Sequence, residues 1–135
     1  MKRILPLILA ALLLLTGCSS AADNSATLAP EATYRQISQE EAKTMMDTQD
    51  VLILDVREQN EYDAGHIIDA VLLPVGTITE VTAAEVIPTK DTTVLVYCRS
   101  GNRSKTASQA LAELGYTEVY EFGGINTWPY DIAIE

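Results

Sequence analysis

The chain has 135 residues, with 19 acidic against 9 basic side chains and a formal net charge of −10. That length holds one small domain. The acidic balance argues against a nucleic-acid partner and against electrostatic attraction to anionic lipid.

Lys2 and Arg3 precede an apolar run from Ile4 to Leu15, which Leu15-Thr16-Gly17-Cys18 closes. About 12 apolar residues are too few to span a bilayer, which takes roughly 20 in a helix. The pattern is that of an export signal. The tetrapeptide resembles a bacterial lipobox, in which the cysteine is lipidated and becomes the new N-terminus. Ordinary cleavage near Ala21 or Ala22 is the alternative, but it leaves Cys18 directly after a small residue without a reason. The expected division is a signal peptide over 1–17, a lipidated N-terminus and flexible tether over 18–33, and a domain over 34–135. Ser19 to Thr33 suits a tether, being rich in Ser, Ala, Asn, Thr and Pro with no apolar period. The expected location is outside the cytoplasm, anchored to a bacterial membrane by lipid.

Ser38-Gln39-Glu40-Glu41 fits a capping box and starts a helix with Ala42, Met45 and Met46 on its inner face. The paired methionines read as core. Val51 to Leu54 is a continuous apolar run that ends in Asp55-Val56-Arg57. Glu58 to Ala64 suits a short helix stopped by Gly65, Val71 to Pro74 a short strand, and Ile78 to Ile87 a helix before the Pro88 turn. Val94 to Tyr97 reads as a buried strand, and Ala107, Ala110, Leu111 and Leu114 repeat at helical spacing just after it. Gly115 supplies a C-cap, Glu118 to Phe122 a last strand, and Gly123-Gly124 a turn into the segment carrying Trp128. Apolar runs without alternation suit strands covered on both faces, and their alternation with helices predicts an α/β sandwich built on a parallel sheet.

Cys98 falls at the carboxyl end of a strand, in the loop Cys98-Arg99-Ser100-Gly101-Asn102-Arg103 that opens a helix. Such a junction presents backbone N–H groups to an anion. A thiol there, near Arg99, Arg103 and Lys105, ionises more readily than a free cysteine. Of the nine basic residues, Lys2 and Arg3 lie in the leader, and these three are clustered among the other seven. If Cys18 carries lipid, Cys98 is the domain's only thiol, so it forms no internal disulfide. A lone cysteine is commonly buried filler. Its place in a Ser/Gly/Asn/Arg loop reads instead as a nucleophile.

A wider set of segments now matches a family. Leu54-Asp55-Val56-Arg57-Glu58, Glu61-Tyr62, Gly65-His66-Ile67, Tyr97 to Ser104, Leu114-Gly115-Tyr116 and Gly123 to Trp128 together resemble a single-domain rhodanese, in family order over about residues 36–130. The resemblance implies a rhodanese-like three-layer sandwich with a central parallel sheet flanked by helices. It also implies a sulfurtransferase whose loop cysteine carries a persulfide between donor and acceptor. Cys-Arg-x-Gly-x-Arg looks like members that accept thiosulfate, whereas members acting on mercaptopyruvate usually carry a small residue at the position of Arg99. Asp69-Ala70 stands where the family often has Gly-Ala, and Asp adopts a left-handed conformation at some steric cost.

On this reading Cys98 is the nucleophile. N–H groups and side chains of Arg99, Ser100, Gly101, Asn102, Arg103 and Ser104 form the substrate site, with Gly101 letting the backbone curl close to the sulfur. Arg103 orients the anionic donor, unless it or Arg99 pairs with Asp55 or Glu58 and only holds the loop. Asp55 and Arg57 read as supporting residues joined by a salt bridge or hydrogen bond. His66, the only histidine, follows a glycine at a loop-to-strand junction and reads as structural rather than as a base. Trp128 reads as core or pocket wall. No metal or cofactor is expected. The expected partners are a small anionic sulfur donor, a thiophilic acceptor, and a membrane reached through lipid, with the domain monomeric. Two other readings stay open: a non-catalytic carrier or interaction module, and a cysteine-dependent phosphatase or arsenate reductase. Tyrosine phosphatases place five residues between Cys and Arg, whereas Cys98 and Arg103 enclose four, a smaller pocket.

Overall fold

The strand that runs into Cys98 is covered on both sides, and that sets the architecture. The computed structural model describes residues 31–134. In it β5 (Val94–Cys98) is buried along its whole length. Val94, Val96 and Cys98 pack with Leu54, Val56, Ala83 and Leu111 on one side. Leu95 and Tyr97 pack with Ala42, Ile53, Ile67 and Phe122 on the other. Side chains alternate between two apolar cores, which is why the sequence shows no polar alternation.

Five strands, β1 (Arg35–Gln36), β2 (Leu52–Asp55), β4 (Val71–Leu72), β5 and β6 (Val119–Gly124), form one sheet in the order β1-β6-β5-β2-β4. Every pairing in it is parallel. Helix α1 (Gln39–Thr48) covers one face with Ala42, Met45 and Met46. Helices α3 (Glu80–Val86) and α4 (Asn102–Glu113) cover the other with Ala83, Ala107 and Leu111. The expected three-layer sandwich is formed. Helix α2 (Gln59–Asp63) follows the second strand, and β3 (His66–Ile67) pairs antiparallel with β7 (Ile132–Ala133) in a separate ribbon.

Local signals act as the sequence predicts. Ser38 and Glu41 close a reciprocal capping box on α1, and Gly115 ends α4 with φ +96°. Asp69 takes the left-handed conformation, with φ 67°. The strand read as the last is followed by β7, whose two residues are too short for a periodic signal. Helix α3 is shorter than 78–87 because Thr79 caps it by accepting from the Thr82 N–H. Of the expected tether, only residues 31–33 are described. They form no regular element, and the Ala32 carbonyl accepts from Gln109 Nε2 at 3.0 Å. The signal peptide and Cys18 lie outside the described residues. No helix among those described is long and apolar enough to cross a membrane.

A buried polar group ties the two sheets together. Asp55 is fully buried and accepts from the Arg57 N–H (2.9 Å), from Arg57 Nε and Nη2 (3.0 and 2.7 Å) and from the Tyr97 hydroxyl (2.6 Å). Arg57 Nη2 also donates to the Gly65 carbonyl at 2.7 Å, and the Tyr97 oxygen accepts from the Ile67 N–H at 3.0 Å. Strand ends of the parallel sheet are thereby tied to β3. Burial and then the adjacent Asp55 carboxylate push the Tyr97 phenol far up, so it stays a donor. Tyr97→Phe leaves the Ile67 N–H and one Asp55 lone pair without this partner in a dry site. The expected loss of stability is about 1–3 kcal/mol, measured by urea unfolding of variant and wild type.

Candidate active site

The thiol sits where the parallel strand hands over to helix α4. Gly101 is the helix N-cap, with φ 108°, a conformation that a side chain would oppose. The turn directs the Gly101 N–H at Cys98 Sγ, at 3.0 Å. Cys98 Sγ and Ser104 Oγ, one helical turn on, are 3.5 Å apart. Burial alone pushes the thiol up. Hydrogen bonds from the Ser104 hydroxyl and from the Ser104, Gly101 and Ser100 N–H groups outweigh it, and the net shift is below the ordinary cysteine value. These are the donors that an anionic sulfur needs.

The loop keeps its shape because another backbone supports it from behind. A Cβ on Gly124 would lie 2.0 Å from the Arg99 carbonyl oxygen and 2.5 Å from the Ser100 nitrogen. Only hydrogen fits there. The Asn126 N–H donates to the same Arg99 carbonyl at 3.2 Å. The two glycines at the end of β6, read from sequence as a turn, are therefore also the bed of the cysteine loop.

The structure places the two loop arginines differently. Arg103 grips Glu61 of α2 with both terminal nitrogens, at 2.7 and 2.8 Å. The Arg103 hydrogen bonds hold the Glu61 carboxyl at about 2, well below the usual range. The partner is thus neither Asp55 nor Glu58, and the pair fastens α4 to α2. Charge on Cys98 adds to the cause that first holds the Arg103 guanidinium protonated, its bond to Glu61. Arg99 is exposed, and among the described residues it makes no salt bridge. Ser100 and Asn102 are exposed beside it, so the loop opens to solvent while the sulfur stays buried. Lys105 lines a separate depression with Tyr34 and Gln109.

Asp55 and Arg57 satisfy one another beneath the site. His66 lies flat on Tyr62, with ring centroids 3.8 Å apart, and donates from Nδ1 to the Tyr62 carbonyl at 2.9 Å. Nothing places it against the thiol. Trp128 packs on Phe122 and Tyr130 and walls a cavity of about 1100 Å³ that also takes in Leu52 and Thr93, at the opposite end of the sheet from Cys98. Sequence reasoning missed Glu121. It is almost wholly buried, and its Oε1 lies 2.6 Å from Ser104 Oγ and 2.8 Å from the Gly123 nitrogen. The available signal was a carboxylate at an inward position of a strand whose alternate residue, Val119, is core.

A parallel α/β sandwich with a strand-end cysteine in a ring of N–H donors defines a class of protein, and comparison identifies it. The model of the Rhodanese-like domain matches residues 38–129, and the chain belongs to that family. It is 38% identical over 96 residues to thiosulfate sulfurtransferase GlpE of Coxiella burnetii, covering 70% of this chain and 87% of the relative. It is likewise 38% identical over 81 residues to thiosulfate sulfurtransferase PspE of Escherichia coli, covering 60% of this chain and 73% of the relative. Among solved structures, an E. coli rhodanese with anions superposes with a TM-score of 0.56 at 33% identity, over 62% of this chain and 98% of that one.

The net downward shift of the thiol has a direct readout. The rate of Cys98 alkylation by iodoacetamide rises with the thiolate fraction, so its pH profile should inflect below the free-cysteine value of about 8.5. An inflection at or above that value contradicts the donor ring.

Proposed function

We propose that the protein is a sulfurtransferase that moves the sulfane sulfur of thiosulfate to a thiophilic acceptor through a Cys98 persulfide. The observation that carries the proposal is the buried Cys98 sulfur, held at 3.0 Å by the Gly101 N–H at the floor of an open loop. The names of its relatives support the same reading. The Cys98 thiolate attacks the outer sulfur of thiosulfate. A bond forms between Cys98 Sγ and that sulfur, the S–S bond of the donor breaks, and sulfite leaves with the electron pair. The loop N–H groups then face the terminal anionic sulfur of Cys98–S–S⁻. An acceptor such as cyanide attacks that sulfur, and the thiolate returns as thiocyanate departs. No proton need be moved by an outside base.

Charge supports thiosulfate as donor. Arg103 is committed to Glu61, which leaves the exposed Arg99 as the cation at the rim for the donor's sulfonate-like end. A loop of four residues between Cys98 and Arg103 favours one sulfur over a tetrahedral phosphate or arsenate. The presence of Cys98 favours catalysis over a purely structural module. Cys98→Ser should retain the fold and lower thiosulfate-to-cyanide transfer by at least about a thousandfold. The wild type should have a higher kcat/KM for thiosulfate than for mercaptopyruvate. A serine variant of wild-type activity, or mercaptopyruvate as the better donor, contradicts the assignment.

We also propose that Cys18 carries diacylglycerol after export and holds a monomeric domain at a bacterial membrane, outside the cytoplasm. The support is the Leu15-Thr16-Gly17-Cys18 pattern after a short apolar run. Two acyl chains anchor stably where one is marginal, at about 0.8 kcal/mol per buried CH₂. In a bacterial host Cys18→Ala should lose lipid labelling and membrane retention. Equal partitioning of wild type and variant, with no lipid mass at the N-terminus, contradicts the anchor.

A further inference from the structure

Ser104 Oγ carries one hydrogen but lies against four groups that could take it. Glu121 Oε1 is at 2.6 Å, the Gly101 carbonyl at 2.9 Å, the Gly123 carbonyl at 3.4 Å and Cys98 Sγ at 3.5 Å. Cys98, Ser104 and Glu121 are all buried, and among the described residues no cation pairs with Glu121.

With Cys98 as a thiol the chain of hydrogens is simple. The S–H donates to Ser104 Oγ, and the Ser104 O–H donates to the Glu121 carboxylate. Ionising the sulfur reverses the demand, because an anionic sulfur needs the Ser104 hydrogen for itself. Two oxygens 2.6 Å apart still need a hydrogen between them. Once Ser104 has turned its own toward sulfur, the group on that contact that can supply one is the Glu121 carboxyl. Two neighbouring buried anions would also repel each other.

We propose that Glu121 is protonated whenever Cys98 is anionic, as thiolate or persulfide, and that it donates to Ser104 so that the Ser104 hydroxyl donates to the sulfur. The proton balance is closed. The Cys98 S–H bond breaks and its hydrogen passes to Ser104 Oγ. The Ser104 hydrogen passes to Glu121 Oε1, and the buried site keeps one negative charge throughout. The Glu121 oxygen retains a lone pair for the Gly123 N–H, 2.8 Å away. Glu121 acts through Ser104, as a positioning residue for the hydrogen that the sulfur uses. The inference rests on the proposed function for the use of the Cys98 anion.

Glu121→Gln in the full chain separates this role from its rivals by the sign of one shift. A glutamine oxygen at the Oε1 position accepts from Gly123 and Ser104 but gives no hydrogen back, so Ser104 is locked away from sulfur. The pH inflection of Cys98 alkylation by iodoacetamide should therefore rise, and a persulfide made with thiosulfate should decay faster. If Glu121 were a permanent carboxylate, removing its charge would lower the inflection. If it were purely structural, the inflection would not move. Either result overturns the proposal. Should the variant fail to fold, infrared difference spectra of the wild type decide. A protonated carboxyl signal should be present while Cys98 is ionised and be lost when alkylation neutralises the sulfur; its absence overturns the proposal. Alkylation and infrared readouts use no sulfur donor. A chain that shows both but takes no sulfur from thiosulfate keeps this proton placement and overturns the thiosulfate reading instead.

Discussion

The close approach of two backbones is the constraint on which the site depends. The Arg99–Ser100 peptide lies so near Gly124 that a single methyl group would occupy the Arg99 carbonyl. Support from behind lets the loop turn its N–H groups forward onto one sulfur, rather than spending them on a regular helix start. Gly101 completes the turn with its positive φ. Apart from the Ser104 hydroxyl the donors are backbone groups, so most of the geometry follows from the fold itself in a chain that has few cations to spare.

Among the described residues most of those few cations are engaged. Arg57 is buried against Asp55, and Arg103 joins Glu61 across two helices. Both arginines lie at the carboxyl end of the sheet, the end that carries Cys98. Arg99 is left at the open rim, where a small anion would meet it before reaching the sulfur. On the proposed function, Arg99 would ease the approach of an anionic donor to a chain whose formal net charge is −10. The buried end of the site follows a different rule. There, on the proposed proton placement, Glu121 and Ser104 set where one proton sits, and among the described residues no ion pair involves Glu121.

Much of this was legible in the sequence because it follows local rules. The capping box at Ser38, the unbroken apolar runs at 51–54 and 94–97, and the glycine after α4 each act through neighbours a few residues away. The family segments added the three-layer arrangement around a central parallel sheet, and Cys98 stood out by its junction. What escaped notice depends on partners far along the chain. Arg103 meets Glu61 42 positions away, and Ser104 meets Glu121 17 positions away; no window of periodicity links them. Strands β1 and β7 have two residues each, below the length at which alternation is visible. Gly124 has an ordinary φ of −139°, so its need for hydrogen alone comes from packing and not from backbone conformation.

The central claim is that Cys98 carries the transferred sulfur covalently. The most direct measurement is the mass of the Cys98-containing peptide after brief exposure of the reduced protein to thiosulfate, followed by a second spectrum after cyanide is added. The account predicts a gain of one sulfur atom on that peptide and its complete loss on cyanide, with thiocyanate formed in equal amount. Unmodified Cys98 during active turnover, or sulfur found on any other residue, would contradict it.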